Sequence, residues 1–480
     1  MPQTDITFAS LAPALPEIYL TLMICVVLMV DVFAGPKRSG LSATFTQFTL
    51  LLGAALTGFV SHVGERTVLF DGLYVADELA WVLKLCGFLF VAFALLYSRT
   101  YLERRGILKG EYFVLALTAL LGVFVLASAN SLLTVYVGVE LLALSVYAMV
   151  AFDRENGIAA ESAMKYFVLG AIASGALLYG MSMIYGMTGT LSLDQLAANL
   201  HGSPNLGVLL GLVFVVVAVA FKLGAVPFHM WLPDVYHGAP TSVTLFIGTA
   251  PKLAYFALAF RLLGQGLQGV QADWGQMLAA LAVLTLLVGN LVALAQTNIK
   301  RLLAYSTIAN VGFILLGFVS GTAGGYSASL YYTLVYVLTV LGTFGVVILS
   351  SRKGYEADQL DDYKGLYKRD PLLAFIMMVL MFSTAGVPPF VGFWAKLRIF
   401  QELWVTGHTW LVILAATTSV IGAFYYLRVV KLMYFDAPDD RPEAERQAGV
   451  RMALGLNAAA VVVLGLLPGP LLDLCARLIR

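Results

Sequence analysis

Long apolar runs separated by short polar breaks organise the whole chain. The runs fall near 15–34, 44–62, 78–97, 112–128, 131–151, 163–187, 207–231, 241–263, 275–295, 301–319, 327–350, 371–400, 409–435 and 450–475. Most hold roughly 17–25 residues, the length an α-helix needs to cross a bilayer. The pattern predicts one all-α integral membrane domain over 1–480, with about fourteen transmembrane helices. The narrow gap near 128–131 makes the division between the fourth and fifth helices the hardest to place.

Two of the runs carry the same interruption. The seventh contains LGAVPFHMW (223–231) and the twelfth AGVPPFVGFW (385–394). Each reads Gly, then Val-Pro, then Phe, then Trp. Five helices lie between them, so the two cross the bilayer in opposite directions. Paired interrupted helices in inverted halves are a sequence pointer to a transport pathway. Two unrelated proline kinks are the plainer alternative.

Composition agrees with a membrane location. The chain is 60% hydrophobic and 12% charged, against about 25% charged in soluble domains. A net charge of +1 gives no field for attracting nucleic acid or cations, so charge acts here by position. Cys25, Cys86 and Cys475 are far apart in apolar runs and suggest neither a disulfide framework nor a metal site. The first run has no preceding Lys or Arg, so it is expected to stay as a helix rather than be cleaved. Lys and Arg cluster after odd-numbered helices: Lys37 and Arg38; Arg99, Arg104, Arg105 and Lys109; Arg154; Lys300 and Arg301; Arg352, Lys353, Lys364, Lys368 and Arg369; Arg441 and Arg446. After even-numbered helices stand only Arg66 and the terminal Arg477 and Arg480. The positive-inside rule then places the first set in the cytoplasm and both termini on the outer side.

Ionisable groups deep in spanning helices are costly and point to function. Glu140, Lys222 and Lys252 lie well inside their helices, and Lys396 follows a double proline. Each lysine has a proline nearby. Pro227 cannot donate to the carbonyl of Leu223, Pro251 leaves that of Ile247, and Pro388 and Pro389 leave those of Thr384 and Ala385. Unpaired backbone at that depth is tolerated only inside protein or beside a wet cavity. Prolines and lysines together therefore suggest hydrated half-channels, with Tyr, Ser, Thr and His helping to hold water. An ammonium group removed from water binds its proton less tightly, and a carboxylate nearby reverses this. At about 6 Å and an effective dielectric of about 20, one such charge is worth about 3 kcal/mol. That is enough to switch a site between loading and release. Lys165 is a further relay candidate, with an ordinary pair to Glu161 as the alternative. His229 is another, with a bond to a freed carbonyl as the alternative. Lys84 and Arg261 are expected to snorkel to the surface. No phosphate loop, CxxC, haem or zinc spacing, or nucleophile elbow occurs. Redox chemistry and hydrolysis are therefore not expected in this chain, and energy must come from a partner.

The stretch FKLGAVPFHMWLPDVYHGAPTSVTLFIGTAPKLAYF (221–256) closely resembles the signature of the antiporter-like subunits of respiratory complex I. Within that family, PDVYxGAPTxVTxF followed by PK looks like the subunit N (subunit 2) branch. SLLTVYVGVELLALSVYAM, ESAMKYFVLGAIASG, NIKRLLAYSTIANVGF and STAGVPPFVGFWAKL extend the likeness over about 110–435. The resemblance implies fourteen helices, two inverted five-helix repeats (about 112–263 and 275–435) and discontinuous helices seven and twelve. It implies that Glu140 and Lys222 form the pair of the first half-channel, that Lys252 is the central lysine and that Lys396 ends the second half-channel. Lys165 matches a further lysine of the sixth helix. It also implies proton export across the cell inner membrane, driven by quinone reduction with NADH. FMN, iron–sulfur clusters and quinone belong to other subunits, which are the partners together with lipid. The larger relatives have a histidine in the eleventh helix; here SLYYTLVYVLTVLGTF has no ionisable group, so Tyr, Thr and water would bridge Lys252 and Lys396. A cation/proton antiporter subunit of the same fold and a structural membrane spacer are the alternatives.

Overall fold

The computed structural model describes residues 11–35, 39–59, 66–200, 205–438 and 447–479. Lys37, Arg38, Arg441, Arg446 and Arg480, which entered the orientation argument, lie outside them. Thirteen helical spans among the described residues are long and apolar enough to cross a membrane. The fourteenth predicted segment is the interrupted one, split into two shorter helices.

The spanning helices are α1 (Leu15–Ala34), α2 (Ser39–Phe59), α3 (Glu78–Arg105), α4 (Gly110–Ala127), α5 (Leu132–Val150), α6 (Gly157–Thr188) and α7 (Leu206–Leu223). They continue with α8 (Thr241–Gly266), α9 (Gln271–Leu294), α10 (Ile299–Val319), α11 (Ala323–Ser350), α12 (Pro371–Ala385), α13 (Thr409–Tyr434) and α14 (Ala448–Leu466). Second arms follow α7 at Trp231–Gly238 and α12 at Val391–Val405. The boundary near 128–131 is fixed by chemistry: α4 stops at Ala127, and Ser131 caps α5 in a reciprocal box with Thr134. Asn156, Asn205, Asn298, Thr322 and Asp370 cap α6, α7, α10, α11 and α12 in the same way, each offering a side-chain oxygen to unpaired first-turn N–H groups.

The fold is all-α, as the runs predict, with one short antiparallel hairpin of β1 (Thr67–Leu69) and β2 (Tyr74–Ala76) between α2 and α3. Its β-branched and aromatic residues suit a half-buried ladder, and Tyr74 bridges on to Ala129. The seventh run ends at Leu223 rather than 231. The last ends at Leu466, because Pro468 cannot extend it, and a short helix Gly469–Leu478 follows. Lys84 and Arg261 do not snorkel: both are buried, at 2% and 1% exposure. Lys84 Nζ lies 2.6 Å from Glu17 of α1 and donates to Tyr74 at 2.7 Å. Arg261 forks onto both oxygens of Asp77, at 2.7 and 2.8 Å, and onto the carbonyl of Ala127. Burial alone would raise the Asp77 carboxyl, but Arg261 outweighs it and holds Asp77 below the usual carboxylate range.

The core lies around α8, α10 and α11, the most completely enclosed spans, whereas α1 is mostly exposed on the outside of the bundle. Helix α11 packs on α3, α8, α10, both arms of α12 and α14. Most loop cations gather at one end. There Arg105 meets Glu356, Lys300 donates to the carbonyl of Ala239 at 2.7 Å, and Arg428 donates to those of Leu294 and Gln296. The opposite end holds the hairpin, Glu17, Asp77 with Arg261, and Arg66 with Asp194.

Candidate functional site

Both interruptions close alike. Helix α7 ends with Gly224 at φ 89°, ψ 32°, and α12 with Gly386 at φ 86°, ψ 33°. This left-handed conformation costs glycine little and other residues more. In each, the glycine N–H returns to two carbonyls of the last turn and the next N–H joins one of them: Ala220 and Phe221 in the first case, Phe382 and Ser383 in the second. A peptide preceding a proline is cis in each, Val226–Pro227 and Pro388–Pro389. A hydroxyl from inside the bundle then takes a freed donor, Thr285 for the N–H of Val226 at 2.9 Å and Ser383 for that of Gly392 at 3.3 Å. Trp231 and Trp394 donate their indole N–H to the carbonyls of Phe221 and Gly465.

Each break also receives a buried ammonium. Lys252, 2% exposed, donates to the carbonyl of Leu223 at 3.2 Å. Lys396, 8% exposed, donates to that of Ala385 at 2.9 Å. These are two of the carbonyls that the prolines were expected to leave open. A cation at a helix C-terminus is favoured by the carbonyl dipoles. Each lysine keeps further N–H groups, since one bond uses only one of three donors.

Lys222 is the next-to-last residue of α7 and is buried, with its ammonium on Ser174 Oγ at 3.1 Å. Glu140, midway along α5, is only partly buried. Its Oε1 is enclosed and has no hydrogen-bond partner. The carboxylate makes no direct ion pair among the described residues, yet it acts electrostatically on Lys222, Tyr136, Tyr147 and Tyr255. The structure thus brings Glu140 within electrostatic reach of Lys222. It also sets Lys252 on the residue after Lys222.

His229 sits in the first break, half-buried, its Nδ1 enclosed without a partner and its ring facing Tyr305. The backbone of Pro227, in the same break, hydrogen-bonds the ring. Lys165 stands apart from the buried groups. It is nearly half exposed and pairs with both Glu161 and Asp234 at 2.9 Å. Asp234 also meets Arg301 at 3.1 Å. Burial would raise the Asp234 carboxyl, but Lys165 and Arg301 prevail and hold it below the ordinary range.

Between the two lysine-capped breaks lies a neutral polar network. Tyr332 donates to Asn310 at 2.7 Å, and Tyr336 to Thr307 at 2.6 Å. Asn310 donates to Tyr426 at 3.3 Å, and Tyr426 shares a hydrogen bond with Ser306 at 2.5 Å. Beside it a cavity of about 20 Å³ touches Asn310, Tyr332, Tyr336 and Ala395, the residue before Lys396. That is room for one water. The sequence pointed to the tyrosines and threonines of α11. Asn310, Ser306 and Tyr426 were not singled out, because single polar residues in apolar helices carry no local mark of which neighbour they will meet.

Residues 129–422 match the family described as NADH:quinone oxidoreductase/Mrp antiporter, TM. The chain is 52% identical over 471 residues to NADH-quinone oxidoreductase subunit N of Thiobacillus denitrificans, covering 98% of this chain and 97% of that protein. It is 50% identical over 478 residues to the protein of the same name from Nitrosomonas europaea, covering 99% of each. The chain belongs to the NADH-quinone oxidoreductase subunit N family. Among solved structures, it resembles a chain of respiratory complex I from Thermus thermophilus with bound Aureothin, at 32% identity and a TM-score of 0.83, covering 96% of this chain and 99% of that one. It resembles a chain of the archaeal membrane-bound sulfane sulfur reductase at 28% identity and a TM-score of 0.86, covering 97% and 96%. A chain of the Mrp complex from Dietzia, at 22% identity, a TM-score of 0.85 and 97% of each chain, shows the shared fold. The subunit N family thus uses a fold that recurs in several membrane complexes.

Proposed function

We propose that this chain is a proton-translocating membrane subunit of a bacterial NADH-quinone oxidoreductase in the inner membrane. Protons pass through two half-channels, one per inverted repeat (about 112–263 and 275–435). The energy comes from quinone reduction in partner subunits, which hold NADH, FMN, iron–sulfur clusters and quinone. The chain itself binds no redox cofactor. Its Lys/Arg-rich end faces the cytoplasm and both termini face outward.

The observation that carries this reading is the pair of buried ammonium groups, each on the open carbonyl of an interrupted helix, together with the unpartnered carboxylate oxygen of Glu140, which acts on Lys222. In the proposed cycle Lys222 holds a proton while Glu140 is ionised and near. Any shift of that carboxylate, or of charge beside it, weakens the hold and passes the proton toward Lys252. Lys252 releases in turn to the Thr307–Tyr336 and Asn310–Tyr332 groups and the water beside them, and Lys396 receives from there. Hydroxyls both donate and accept, so they can pass a proton without holding charge. His229 shares the first step. Lys165 acts from the bundle end, through its bonds to Glu161 and Asp234, as an entry group.

The test is proton uptake per electron in vesicles holding the assembled complex. Lys222→Ala and Glu140→Ala are expected to lower pumping while the complex still assembles. Full pumping per electron in both variants would remove the relay. Sodium-driven rather than proton-driven uptake would point to cation/proton antiport.

A further inference from the structure

Four buried residues of α6 follow one another at intervals of four: Ser162, Tyr166, Gly170 and Ser174. Residues so spaced lie along one face of a helix, and from first to last they span about 18 Å. The stripe runs from the Lys/Arg-rich end to the first break. Ser162 stands three residues before Lys165 and donates to the backbone carbonyl of Asp234 at 3.1 Å. Ser174 receives the ammonium of Lys222, also at 3.1 Å. The partly exposed Lys165–Asp234 pair and the buried Lys222 thus stand at the two ends of one helix face.

Between those ends the stripe meets buried hydroxyls. Tyr166 stacks on Trp231, with ring centroids 4.4 Å apart, and hydrogen-bonds Tyr255, three residues beyond Lys252 on α8. Tyr147 of α5 packs edge-on against Tyr166 at 4.6 Å. Its hydroxyl reaches Gly170, where a Cβ would lie 1.8 Å from the oxygen, so a side chain there would close the space. Tyr147 is 7% exposed, yet that hydroxyl has no hydrogen-bond partner among the described residues. A buried hydroxyl left unbonded is costly, so Tyr147 calls for a use other than stability. It follows Glu140 by seven residues, two turns of α5, so both face one way. The Glu140 carboxylate acts on it electrostatically.

On the proton-translocating reading above, we propose that this stripe is the uptake route from the Lys/Arg-rich end to the Glu140–Lys222 pair, with Tyr147 as the hydroxyl that delivers to Glu140. Tyr166 and Tyr255 can each donate and accept, and they hand the proton on from the Ser162 end. A proton arriving at Tyr147 bonds to its oxygen as the phenol's own proton leaves for the carboxylate. One O–H bond forms and one breaks, and the tyrosine ends neutral. Its hydroxyl then turns back to receive the next proton, which costs little because no hydrogen bond holds it. Glu140 passes its proton to Lys222 when that amine is neutral, and Ser174 holds the ammonium that results.

The experiment follows proton uptake during NADH-driven quinone reduction, in vesicles holding the assembled complex, in H2O and in D2O. Tyr147→Phe and Tyr166→Phe keep the packed rings, and each is expected to lower uptake about ten-fold. The slowing by D2O should increase in both, because proton delivery then limits turnover. Tyr97→Phe removes a comparably buried, unbonded hydroxyl from α3, outside the proposed repeats, and is expected to change neither quantity. Full uptake in Tyr147→Phe, an unchanged D2O effect in a slowed variant, or an equal loss in Tyr97→Phe would overturn the route. Lys222→Ala, measured beside them, separates the route from the wider reading. Lowered uptake there with full uptake in the tyrosine variants removes the route alone, and full uptake there removes both.

Discussion

The two interrupted helices have nearly the same backbone and very different company. At Gly224 and Gly386 the dihedral angles agree within a few degrees, the same last-turn hydrogen bonds form, and a buried lysine meets the open carbonyl. The first break is surrounded by groups that change charge: Glu140, Lys222 and His229. The second has Lys396 above the ring of Phe313, and its other polar neighbours are neutral: Asn310, Tyr332, Tyr336 and Tyr426. Geometry alone therefore does not fix how a break handles a proton. In the first half, neighbouring charge can tune affinity through Coulomb interaction in a poorly screened interior. In the second, hydrogen-bonded dipoles can carry a proton but cannot strongly retune the lysine.

The contrast is broken most sharply at Lys252, which the proposed relay sets between the two halves. Lys252→Arg keeps the charge but cannot release its proton. It is expected to lower proton-coupled quinone reduction on the order of a hundred-fold. An active arginine variant would show that fixed charge is enough. Lys222→Ala should come next, with Glu140→Gln milder, since the lysine then lacks only its tuning partner. Equal loss in both would mean the pair acts as a single unit.

In the second half the loss should be smaller and uncharged in character. Asn310→Leu removes the link between Tyr332 and Tyr426, and a reduction of about ten-fold in pumping is expected. Asn310→Asp should alter the pH profile of pumping, because it introduces a titrating group where none stood. An unchanged profile would argue that protons do not visit Asn310.

At the opposite end of the bundle, Arg261→Leu leaves Asp77, only 16% exposed, without its partner. A stability loss of about 3–5 kcal/mol is expected, read as earlier thermal dissociation of the complex. The double change Asp77→Leu with Arg261→Leu should recover part of it. No recovery would place the effect in packing rather than charge.

The smallest effect concerns Asp234. Its carboxyl titrates below an unfolded aspartate, so its bonds to Lys165 and Arg301 contribute fully above the unfolded value. They are lost as pH falls through the lower, folded value. Near-neutral pumping should be insensitive to pH through this group, with any loss confined to acid. Asp234→Asn loses both ion pairs at every pH, so it should lower the neutral value slightly and flatten the acid limb.

Much of this was legible in the chain itself. A bilayer imposes a length and an apolar composition on each span, and the runs matched observed helices to within a few residues in most cases. Prolines mark where hydrogen bonds must fail, and so the carbonyls of Leu223 and Ala385 were identifiable before their partners. Lysines inside apolar runs announce themselves by cost. What the order of residues left undecided was partnership. Nothing local to Lys84 indicates Glu17, and Arg261 and Asp77 are 184 residues apart, so snorkelling was the natural reading of both. Asn310, Ser306 and Tyr426 look like ordinary polar residues until α10, α11 and α13 pack together. Sequence determines which groups cannot face lipid alone, because that penalty belongs to each residue and its immediate run. Only the tertiary structure decides which distant group relieves the penalty, because hydrogen bonds and ion pairs act over a few ångströms and packing sets those distances.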